Sequence, residues 1–148
     1  MHARRAIVNA AAAALAYRPT TGDRVYPGRS WPVSGESPPY LLVYARQERI
    51  DSATMTSNAR KTMRLLDLIV EGVDTAQTDT DERLDTIAEE VELALLADRT
   101  LGGTCKDMTL AQTDLTVTAD DNERRIAAIR LRFVAMYLTA ANDPTTPA

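Results

Sequence analysis

The chain is poor in the residue types that most side-chain chemistry requires. Its one cysteine, Cys105, can neither close an internal disulfide nor share a thiolate zinc site. Its one histidine, His2, stands at the N-terminus, where neither a triad nor an inward metal ligand is held rigidly, and it is expected to lie in solvent. With no second histidine to act as a base, Cys105 is read as a buried structural thiol. A single phenylalanine and the lack of aromatics among the basic runs argue against a platform for single-stranded nucleic acid. Positive charge is not in excess: 21 acidic side chains against 17 basic ones give a net charge of -4, which offers no long-range attraction to nucleic acid or an anionic membrane. No run reaches the ~18 consecutive apolar residues that span a bilayer. Gly102-Gly103 lacks the Lys-Ser/Thr ending and the strand-to-helix setting of a phosphate loop, so no cofactor is expected.

What is present fits one domain of 148 residues, long enough to bury roughly 70% of its unfolded surface. His2, Arg4 and Arg5 followed by Ile7 to Ala16 imitate a signal peptide. The stretch is mostly alanine interrupted by Asn9, however, and reads more simply as an amphipathic helix over 3–17 closed by Pro19. Val25-Tyr26 is a short strand, and the prolines, glycines and serines from Pro27 to Pro39 form an exposed loop. Tyr40 to Tyr44 is a dense apolar run of strand-forming residues, read as a buried central strand. Lys61 to Val73 fits both periods. Met63, Leu66, Val70 and Val73 suit a helix, whereas the run Leu65 to Val70 ended by Gly72 suits a strand, and the strand is chosen, antiparallel to 40–46.

The clearest element is a helix from Asp81 to Ala97. Leu84, Ile87, Ala88, Val91, Ala94 and Leu95 recur at helical spacing, with Asp79 or Thr80 available to accept from the first free amides. After the glycines come strand pieces at Cys105–Leu110 and Leu115–Val117, then a polar turn at Asp120-Asp121-Asn122-Glu123. In the last strand Ala127, Ile129, Leu131, Phe133, Ala135 and Tyr137 alternate with a wetter face. Residues 142–148 read as a frayed, disordered tail after a single domain over 1–141. The expected fold is α+β: a mainly antiparallel sheet of four or five strands with two principal helices packed on it.

The remaining charged groups have ordinary explanations. Asp79 and Asp81 lack the glycine and terminal glutamate of a calcium loop, and Asp120, Asp121 and Glu123 are turn residues before they are metal ligands, so no metal is expected. Arg60, Lys61 and Arg64, and separately Arg124, Arg125, Arg130 and Arg132, form basic clusters that read as a solvated face. A sharper alternative is that Arg130 and Arg132 meet Glu89, Glu90 or Glu92 on a neighbouring subunit and set its register. Arg29 and Trp31 in the loop join these as candidates for a subunit or tail interface.

Taken in order, the elements look like a known set. The N-terminal helix, Val25-Tyr26-Pro27, the loop, Pro39-Tyr40-Leu41-Leu42-Val43-Tyr44, the run ending Ile69-Val70-Glu71-Gly72-Val73, the acidic helix, Asp98 to Gly103 and the closing Arg130-Leu131-Arg132-Phe133-Val134-Ala135-Met136-Tyr137 together resemble the tail-terminator family of long non-contractile-tailed phages, also called minor tail protein U. The likeness spans about residues 3–139 and rests on the order of elements without a short diagnostic motif. The resemblance implies a homohexameric ring in the virion, assembled in the host cytoplasm. Such a ring caps the tail tube protein, stops its polymerisation and meets a head–tail connector or neck protein, and the chain's own acidic balance suits a lumen through which DNA passes without specific binding. It brings no catalytic residues and no membrane contact. A head-closure or neck subunit is the alternative joint, and a small enzyme or regulator is a third class.

Overall fold

The computed structural model describes residues 1–28, 38–54, 61–76, 79–119 and 125–147. The elements run α1 (Ala3–Leu15), β1 (Val25–Pro27), β2 (Tyr40–Thr54), β3 (Lys61–Thr75), α2 (Thr80–Leu96), β4 (Asp107–Ala119), β5 (Arg125–Ala140) and β6 (Asp143–Pro147). The fold is α+β, with a mostly antiparallel sheet in the order β1-β2-β3-β5-β4 and β6 added to β5. It has six strands where the sequence suggested four or five, because the short β1 and β6 both join it.

The strand reading of Lys61 to Val73 holds: β3 pairs antiparallel with β2 on one side and with β5 on the other. A strand with neighbours on both edges and five successive buried residues, Leu66 to Val70, reads as a nearly continuous hydrophobic run, which is why periodicity did not settle it. Gly72 does not end this strand. A Cβ there would meet Ile87 Cγ2 at 2.7 Å and Ile129 Cγ2 at 3.3 Å, so the missing side chain is what lets α2 lie directly on the sheet.

Both helices pack on one face. Ala3, Ile7, Val8, Ala11 and Leu15 of α1, and Leu84, Ile87, Ala88, Val91 and Leu95 of α2, join Leu41, Val43, Leu66, Leu68, Val70, Ile129, Leu131, Phe133, Ala135 and Tyr137 in one core. The buried side of β5 is the alternation expected of it. β3 and β4 each run antiparallel to β5, hence parallel to each other, and α2 links them as a crossover with β5 inserted between.

Four details differ from the sequence reading. β2 continues past the apolar run to Thr54, because its charged half lies at the sheet margin, where β1 reaches only Leu41 to Val43. β4 is one strand bulged between Leu110 and Gln112, and Cys105 precedes it in a turn. Asp79 occupies the cap position of α2 but makes no side-chain capping bond. Asp143–Pro147 is a short strand, with Ala140 opposite Asp143 and Thr139 opposite Pro147. β4 begins opposite Met136, which leaves the last residues of β5 open for β6 on that side. Most of the expected loop, 29–37, and the turn 120–123 lie outside the described residues.

After α2 the chain closes around Asp98. Its carboxylate accepts from the Thr100 amide at 3.0 Å, the Thr100 hydroxyl at 2.6 Å and the Gly102 amide at 2.8 Å. The Thr100 hydroxyl first, then these amides, hold Asp98 below the usual carboxylate range. Gly102 and Gly103 have φ of 69° and 86°, a conformation that favours glycine.

Candidate functional site

Cross-strand partners share a face of a sheet, and the basic residues grouped in the sequence divide between the two faces. On the helix-bearing face, Arg64 Nη1 and Arg4 Nη1 each lie 3.0 Å from Glu48 Oε2, and the Tyr137 hydroxyl donates to Glu48 Oε1. Burial, then the Glu48 carboxylate beside it, pushes the Tyr137 hydroxyl well above its ordinary range. His2 stands next to this group and is not free in solvent: its Nδ1 accepts from the Arg4 amide at 3.0 Å and caps α1. Desolvation, then Arg4 and Arg64, lower its pKa from 6.5.

On the opposite face, Arg130 lies 3.7 Å from Glu71 and Arg132 lies 3.4 Å from Asp67, one strand away on β3. Arg132 also donates to Gln112 Oε1 at 3.3 Å, and the Tyr44 hydroxyl donates to Glu71 at 3.1 Å. Asp67 is 1% exposed, and its Oδ1 and the Nε of Arg132 are buried without a hydrogen-bond partner. Both candidate arginines therefore have partners within the chain. Glu90 also has one, accepting from the Thr20 amide at 2.8 Å and from the Thr20 hydroxyl. Arg29, Trp31, Arg60 and Arg124 lie outside the described residues.

Glu89 and Glu92 do meet at one place. With Asp85 they rim an open groove of about 410 Å³ between α2 and β4, whose apolar lining includes Leu93, Leu115 and Ile129. Leu93 and Leu115 are 68% and 57% exposed, and Val117, two residues along β4, is exposed as well. Apolar surface of this kind, rimmed by charge, marks an interaction site more often than a scattered surface leucine does. The sequence held a signal for it: Leu93 and Leu96 fall off the buried stripe of α2, and Leu115 and Val117 alternate with Thr116 and Asp114 on a strand.

Cys105 is buried, and its Sγ lies 3.4 Å from the Arg99 carbonyl. Burial, then the nearby Asp107 and Asp98, push the thiol up to about 11. Among the described residues, no three His, Cys, Asp or Glu side chains converge as a metal site, and no helix is long and apolar enough to cross a membrane. No protein-family model matches the chain, and no curated protein matches it.

Proposed function

We propose that the protein is a non-enzymatic virion subunit that closes as a ring on the end of a phage tail tube, stops its polymerisation and offers a surface to the head connector or neck. The observation that carries this reading is the acid-rimmed groove between α2 and β4, which leaves apolar side chains of both elements in water on an isolated subunit. That exposure is stabilising only when something covers it. The element order, from α1 through the long β5, adds the resemblance to tail terminators. The net charge of -4 suits a lumen that lets DNA slide past.

The test is electron microscopy of particles assembled without this protein. Tails of irregular and excessive length that fail to join heads are the expected outcome. Tails of normal length overturn the reading and favour the neck subunit, which binding to portal-bearing heads in preference to tail tubes then identifies.

A further inference from the structure

Resting on that ring reading, we infer that the groove between α2 and β4 receives the outer margin of β2 from a second copy of the chain. The two surfaces lie on opposite margins of the sheet, since β2 and β4 are separated by β3 and β5. From Tyr44 to Thr54, β2 pairs only with β3 among the described residues, and this length carries the exposed Arg46, Arg49 and Ile50. Ile50 is 58% exposed.

Charge favours this margin over the basic groups that are already paired. Arg46 and Arg49 make no ion pair among the described residues, whereas Arg4 and Arg64 are held by Glu48, Arg83 by Asp74, Arg130 by Glu71 and Arg132 by Asp67. Along this edge Ile50, opposite Arg64, lies on the helix-bearing face and Arg49, opposite Leu65, on the other, so a strand margin seated in the groove offers Ile50 to the apolar floor at Leu93 and Leu115 and its arginines to the acidic rim at Glu89 and Glu92. Backbone groups agree with the side chains. The outer edge of β4 runs beside the groove and the outer edge of β2 beside Arg46 and Arg49, and from Thr113 to Val117 and from Tyr44 to Thr54 neither edge pairs with a further strand among the described residues. A contact between two different surfaces is heterologous, and repeated with the right rotation it closes a ring.

The experiment is sedimentation analysis of the full chain over a concentration series, with four proteins: wild type, Glu89→Arg/Glu92→Arg, Arg46→Glu/Arg49→Glu, and all four substitutions together. Circular dichroism checks that each is folded. The expected result is that wild type self-associates, each two-site variant associates about tenfold more weakly or worse, and the four-site variant recovers because its charges are exchanged. Association of both two-site variants at the wild-type level overturns the inference, as does a four-site variant no better than either, or a wild type that stays monomeric throughout. The tail-length experiment separates the two ideas: lost length control together with unaffected charge variants leaves the ring reading standing and removes this contact.

Discussion

At the scale of single residues, the two faces of the sheet hold their buried acids differently. Glu48 receives a tyrosine hydroxyl and two guanidinium groups, while Asp67, 1% exposed, has among the described residues the Arg132 contact at 3.4 Å alone. Removing one member of a buried pair leaves an uncompensated charge, whereas replacing both members with apolar groups is often neutral or better. Arg132→Met is therefore expected to destabilise the fold by about 3 kcal/mol, and adding Asp67→Leu to recover most of that loss, as read from urea denaturation midpoints. His2 gives a pH effect with a definite sign. Its pKa falls from 6.5 on folding, so the stability it contributes is present above 6.5 and declines as pH drops through the lowered folded value. Protonation converts Nδ1 from acceptor to donor and breaks the cap on the Arg4 amide. The protection factor of the Arg4 amide, taken relative to intrinsic exchange at each pH, should fall as pH drops below 6.5, and a His2→Asp variant, whose carboxylate still accepts there, should not show this change. Neither acid was legible in the sequence as a buried group. Glu48 and Asp67 sit among other charges or in an apolar run, and only the strand register reveals that one meets Arg64 and the other Arg132.

Among the elements, legibility followed periodicity. In α2 and β5 the buried positions followed the apolar spacing except at Ala94, which is half-buried, and Ala128, which is buried on the face expected to be wetter. The margins did not: β2 runs on through Arg46, Glu48, Arg49 and Asp51, because a strand at the edge of a sheet can carry charge along its outer side. The tail was misread for a related reason. Pro144 and Pro147 suggest fraying, yet proline is tolerated at a sheet margin, where a missing amide donor is not needed. Gly72 is the element-scale prediction. With Ile87 Cγ2 2.7 Å from the position of an added Cβ, Gly72→Ala must push α2 away from β3, and a loss of about 1–3 kcal/mol in thermal or denaturant unfolding is expected. A Gly72→Ala/Ile87→Val double variant keeps the contacting Cγ2 and tests whether slight slack around it recovers part of the loss.

For the whole molecule, α+β architecture and the strand–strand partnership of β2 with β3 could be read from the chain, but the place of β5 could not. Its pairing with both β3 and β4 is non-local, and nothing in its own alternation names either neighbour. The groove as a whole escaped notice for the same reason, since Leu93 and Leu115 come to line it together only through the crossover of α2. In native-state hydrogen exchange, amides of Leu66 to Val70 and Leu131 to Ala135 should be the slowest, being flanked by strands on both sides, and those of β1 and β6 among the fastest. Uniform exchange rates across the sheet would contradict a framework centred on β3 and β5.

The insertion of β5 between its two partners also orders events during synthesis. The β2–β3 hairpin is complete in sequence long before β5 emerges, so the margin bearing Arg46 and Arg49 can form while the ribosome is still at work. The groove cannot, because Ile129 lies in its wall and β4 has no place in the sheet until β5 is seated. A half-made chain thus offers one side of the inferred contact without the other. It can occupy a finished neighbour but recruits no further copy, which favours completed subunits over nascent ones wherever a ring is being closed.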